Sequence, residues 1–165
     1  MGRVVIGTAL VAAAALAAAS CGGGGGGSAV SKEDFISQAD ALCKHYDDQF
    51  SSETLPTFPK GDPTSASTSN DDVKAFADPF SATKDLRAEQ FHKLRKLQAP
   101  EDFQDQWDRV LSDLDTSLHA LGEMADAAAQ ADREAVSAAV NKGRFAAAKA
   151  DQIARDYGFK VCGHN

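Results

Sequence analysis

Four stretches of this chain place apolar residues at the three-and-four spacing of an α-helix, and none shows the alternation of a strand. In the first, Phe35, Ala39, Leu42, Cys43, Tyr46 and Phe50 share a face. Ser31 is placed to cap that helix, Asp34 to reciprocate and Val30 to staple against Phe35, so a helix is predicted from Ser31 to about Ser51 with Cys43 facing inward. The second opens at Ser69, whose followers Asn70, Asp71 and Asp72 suit the positive end of a helix dipole. Pro79 is expected to kink or split it, after which Leu86, Phe91, Leu94 and Leu97 form the apolar side.

The third stretch starts in the favoured manner, with Pro100 just ahead of Glu101 and Asp102. Phe103, Trp107, Val110, Leu114, Leu118, Leu121 and Ala125 give it the cleanest stripe in the chain. No glycine turn or proline separates it from the fourth, yet one helix from Glu101 to Tyr157 would run about 85 Å, too long for one small domain. A turn at Gln130 to Asp132, with Asp132 as the next cap, resolves this. Val136, Ala139, Val140, Gly143, Ala146, Ala150, Ile153 and Tyr157 then form an inner face whose small residues permit close helix approach, and Gly158 closes the helix. Residues 53–69 break the pattern: Pro56, Pro59, Gly61 and Pro63 block regular structure, and only Leu55 and Phe58 are large and apolar. The expected fold is all-α, an antiparallel four-helix bundle over residues 31–165.

Ahead of the bundle, Val4 to Ala19 is an uncharged run of about 16 residues, short of the ~20 that span a bilayer. Arg3 precedes it and small residues end it, the layout of a signal peptide over residues 1–20. Ala19, Ser20 and Cys21 resemble the cleavage box of the bacterial lipoprotein signal, which ends in small-small-Cys. That resemblance implies cleavage before Cys21, diacylglycerol on its sulfur, and attachment to the outer, extracytoplasmic face of the cell membrane. Residues 21–30 then form the lipidated cysteine and a glycine-rich tether, whose flexible part from Gly22 to Ser28 has a reach of about 15 Å.

On that side of a membrane two cysteines usually pair, and Cys43 and Cys162 are the two that remain. The alternative, a metal site, needs more thiolates or a histidine cluster. The segments Ala39-Asp40-Ala41-Leu42-Cys43 and Tyr157-Gly158-Phe159-Lys160-Val161-Cys162-Gly163 resemble small lipoproteins of actinobacteria. The resemblance implies a helical domain closed by one disulfide; it brings no activity with it, so no catalytic residue is carried over.

Composition narrows the partners. The whole chain has 17 basic and 24 acidic residues; without the signal's Arg3 the balance is 16 minus 24, or −8. With no basic stripe and few aromatics, nucleic acid is not an expected partner. Charge is unevenly spread: residues 101–126 hold eight acids and one base, residues 84–96 five bases and two acids. The simplest expectation is that these two helices are neighbours and pair their charges.

Candidate chemistry is sparse. Glu89 and His92 make one Glu-x-x-His element, whereas a di-iron bundle needs two and further glutamates. Asp115 and His119 stand one turn apart opposite Leu114 and Leu118, and His45 and His164 have no evident partners. Serines lack a strand-turn-helix elbow, so no catalytic residues, no cofactor and no metal are expected. The sequence therefore points to a non-enzymatic, lipid-anchored envelope module that binds a protein, a wall component or a small ligand. The alternatives are a metal- or haem-binding bundle and, behind it, an enzyme. An apolar cavity between helices favours small-molecule capture, converging His and carboxylates a metal, and a solid core a protein partner. One surface stands out: Phe145, flanked by Lys142 and Lys149, projects from the outer face of the fourth helix. It is a candidate partner surface, and the loop carrying Leu55 and Phe58 is expected to fold over it.

Overall fold

A computed structural model describes residues 30–51 and 55–164. The expected signal segment, Cys21 and all of the expected tether but Val30 therefore lie outside the described residues. Four long helices, α1 (Lys32–Phe50), α3 (Ala77–Leu94), α4 (Gln104–Ala129) and α5 (Arg133–Tyr157), and a single turn, α2 (Asn70–Lys74), make up the fold. The described residues contain no strand, and no helix among them is long and apolar enough to cross a membrane. The chain is an all-α bundle closed by a disulfide between Cys43 and Cys162, whose Cα atoms stand 5.4 Å apart.

Local chemistry sets the ends of the helices. Ser31 Oγ accepts the amide N–H of Asp34 and Ser69 Oγ that of Asp72, each at 3.1 Å. The second helix is indeed interrupted, but upstream of Pro79, at Ala75 and Phe76. Pro79 sits in the first turn of α3, where its missing N–H removes no helical bond, and the chain breaks before it because Pro79 cannot donate to Ala75. Similarly, residues 101–103 form a turn and α4 begins at Gln104, with Trp107 N–H donating to the carbonyl of Phe103 at 2.9 Å.

Two helices end with the same pair of crossed hydrogen bonds. After α5, Gly158 donates to Arg155 and Phe159 to Ala154, with Gly158 left-handed at φ 111°. After α4, Ala131 donates to Ala128 at 2.8 Å and Asp132 to Ala127 at 2.9 Å, but the left-handed residue is Ala131, at φ 56°. A Cβ in that conformation is strained by about 1–2 kcal/mol. Ala131→Gly is therefore expected to stabilise the fold by about 0.5–1 kcal/mol, after allowing for glycine's freer unfolded chain. A lower denaturant midpoint in the variant would contradict this.

The core divides in two. Near the first and last described residues, Phe35, Phe103, Trp107, Ala150, Ala154 and Phe159 pack together with Leu94 and Val110. At the other end, Phe76, Phe80, Ala120, Met124, Ala127, Ala128, Val136 and Ala139 form a second cluster. Here α4 and α5 come close: a Cβ added to Gly143 would sit 3.2 Å from Ala120 Cβ. The stripe read on α4 is thus only partly core. Trp107 and Val110 are buried, but Leu114, Leu118 and Leu121 are half-buried, while Ala120, Met124, Ala127 and Ala128, outside the stripe, are buried against α5. Alanines are small enough for helix contact yet weak in a hydrophobic pattern, which hid this face.

The charge pairing expected between the third and fourth stretches does not form. Among the described residues, no base of 84–96 pairs with an acid of 101–126; Arg87 approaches Asp47 on α1 at 3.9 Å and Lys84 its neighbour Asp85 at 3.3 Å. Glu123 pairs instead with Lys142 of α5 at 2.6 Å. Exposed pairs gain little over hydration, so packing rather than charge decides the arrangement.

Candidate functional site

Between the two clusters lies a half-enclosed cavity of about 260 Å³. It exists because α4 packs against both α3 and α5, while α3 and α5 do not pack closely against each other across it. From α3 come Arg87, Gln90, Phe91 and Leu94, one helical face by their spacing. From α4 come Trp107, Val110, Leu114, Ser117, Leu118 and Leu121, so the half-buried leucines are half-buried because they line empty space. From α5 come Ala147, Ala150, Asp151 and Ala154, again one face. Cys43, Cys162 and Gly163 complete the lining.

The wall is mainly apolar, with a few polar groups. Arg87 Nη1 donates to Gln90 Oε1 at 2.7 Å, and the guanidinium lies over the Phe50 ring at 3.9 Å from its centre. Gln90 is itself buried, at 7 % exposure. Burial lowers the pKa of Arg87 from its ordinary value, opposed by Asp47 and then Asp151. Asp151 moves the other way: burial raises its carboxyl above the usual range, against the pull of Arg155, Arg87 and His164. A native carboxyl that holds its proton longer than the unfolded chain loses stability as pH rises from the ordinary carboxylate value to the native one. Asp151→Asn is expected to flatten that part of the pH–stability curve and to leave stability at neutral pH equal or higher. A clear loss of stability at neutral pH would show that Asp151 is held by ion pairing.

The floor of the cavity rests on ordered parts. Asp40 on α1 accepts the amide N–H groups of Lys160, Val161 and Cys162 at 2.8, 3.0 and 2.9 Å. With the disulfide, this carboxylate fixes the C-terminal segment that bears Gly163. The two segments quoted above for their resemblance thus meet in space, which gives their residues a structural role.

The other candidate residues are dispersed. Glu89, His92 and His119 are exposed, and His119 Nδ1 lies 2.8 Å from the carbonyl oxygen of Asp115. His45 Nε2 stands 2.9 Å from Gln49 Nε2, and His164 Nε2 3.1 Å from the Phe159 carbonyl. Among the described residues, no group of three or more His, Cys, Asp or Glu side chains could hold one metal ion. Phe145 is 67 % exposed, with Lys149 Nζ 4.4 Å from its ring centre, while Lys142 is engaged by Glu123. The described residues of the loop do not cover Phe145. Phe58 packs instead on Phe76 and Phe80, at ring-centre separations of 6.2 and 5.5 Å. Arg133 holds the loop there, donating Nε to the Ser65 carbonyl at 3.1 Å, Nη1 to Asn70 Oδ1 at 2.8 Å, and Nη2 to the Thr68 carbonyl. The Phe76 and Phe80 rings are a better apolar surface than one exposed ring, so the loop goes to them.

Arg87, Gln90 and Asp151 were missed by the sequence reading, which counted Arg87 as one more surface charge. A signal was there: Arg87 is four residues before Phe91 and seven before Leu94, on their stripe, and Asp151 follows the inner Ala150.

No protein-family profile matches the chain, and no curated protein or solved structure matches it either.

Proposed function

We propose that this chain is a membrane-tethered binding module, anchored through Cys21 on the outer face, that captures a small and mainly apolar molecule between α3, α4 and α5. The observation that carries the proposal is the cavity of about 260 Å³ with an apolar wall and a few converging polar groups. Ligand sites have that character, and this one lies just below the ~300–1,000 Å³ usual for drug-sized molecules. Unfilled apolar space is otherwise a liability, since leucines facing it forgo dispersion contacts.

Trp107 is the only tryptophan in the chain and lines the cavity, so its emission reports on occupancy without a label. Toluene is expected to bind saturably, shift that emission and raise the melting temperature. Ala147→Phe, which fills the space, should abolish the response in a folded protein. A response that survives in Ala147→Phe, or none in the natural chain, counts against the cavity. The anchor is tested separately: Cys21→Ser should end labelling by a fatty-acid probe, and continued labelling would remove Cys21 from the proposal.

A further inference from the structure

Two opposite charges face the cavity, and each keeps hydrogen-bonding capacity that the described residues do not use. The Arg87 guanidinium has five N–H donors. Among the described residues its one hydrogen bond goes to Gln90, and it pairs with the Asp47 carboxylate only at 3.9 Å, beyond hydrogen-bond range. Asp151 accepts no hydrogen bond and forms no ion pair among the described residues; the neighbouring Arg155 directs Nη1 to the Gly163 carbonyl and Nη2 to Gln152. Donors on α3 and an acceptor on α5 thus look onto one mainly apolar space.

An anionic head group entering that space gains Arg87 but is brought against Asp151, and a cationic one has the reverse difficulty. A head with no net charge that offers an acceptor to one side and a donor to the other satisfies both, and it adds no uncompensated charge to a half-enclosed site. Resting on the cavity reading above, we infer that the ligand is a small apolar molecule with a net-neutral, two-sided head. That means an α-amino acid zwitterion or a primary amide, its acceptor on Arg87 and its donor on Asp151.

Four molecules with one phenyl body test this on the full chain in phospholipid nanodiscs, read by Trp107 emission and by calorimetry. They are phenylalanine, 3-phenylpropionamide, 3-phenylpropionate and 2-phenylethylamine. One of the first two should bind about tenfold or more tighter than either singly charged compound, because each of those brings its charge against a protein charge of the same sign. Whichever of the two is tighter identifies the head. Asp151→Asn should then improve 3-phenylpropionate relative to 2-phenylethylamine, and Arg87→Gln should do the opposite. The comparison within the natural chain needs no variant, so it stands even if Arg87→Gln folds poorly. Toluene binding with equal affinity for all four compounds, or with a preference for a singly charged one, overturns the head assignment and leaves the cavity reading intact. Failure of toluene and all four compounds removes the cavity reading itself.

Discussion

Removing the Cys43–Cys162 bond is expected to cost about 5 kcal/mol on the chain-entropy account of a closed loop with a sequence separation of 119. The variant to use is the double substitution Cys43→Ser with Cys162→Ser, unfolded in denaturant beside the natural chain. The loss reaches further than the termini, because the bond lines the cavity and holds α1 against the C-terminal segment. Asp40 keeps three of that segment's amide groups in place, so the variant should still fold. A change of under about 1 kcal/mol would mean that the unfolded chain is already compact or that packing alone joins these parts.

Phe35→Ala is expected to remove about 4 kcal/mol, within the range for a large aromatic truncated in a core. Phe35 is 1 % exposed and meets four other rings edge-on. Phe103 and Trp107 belong to the start of α4, Tyr157 to the end of α5, and Phe159 to the segment beyond it. Their ring centres stand at 6.0, 5.0, 6.4 and 5.7 Å from that of Phe35. One side chain from α1 therefore secures the end of the bundle on which the cavity rests. Thermal and denaturant unfolding measure the loss, and Trp107 emission should shift as its packing partner disappears. A loss below about 1 kcal/mol would show that the surrounding rings collapse into the space.

The helices were legible because each carries a stripe wide enough to survive a few polar interruptions. Asp132 and Gly158 were legible as caps because their chemistry is local: Asp132 accepts the Ala135 N–H at 3.0 Å, and Gly158 takes a left-handed φ. Cys43 and Cys162 were legible as a pair from their number and from the compartment that the signal-like N-terminal segment implies. The cavity was not. Hydrophobic periodicity says which face of a helix turns inward, and Leu114 and Leu118 do turn inward; it does not say whether anything meets them there. That depends on α5 presenting Ala147 and Ala150 at the same level, a comparison between segments that no single stripe contains. Arg87 and Asp151 escaped for a related reason. A charge on an apolar stripe reads as noise until the opposite charge is found across the same space. The destination of Phe58 was likewise a competition between two surfaces, and only one of them, Phe145, stood out along the chain.

The most direct measurement is native mass spectrometry of the chain isolated gently from its own cells, beside Ala147→Phe prepared in the same way. The account predicts that the natural chain carries one small organic molecule, released on unfolding, and that Ala147→Phe folds and carries none. An empty natural chain that also ignores toluene, or an adduct equally present on Ala147→Phe, would contradict it.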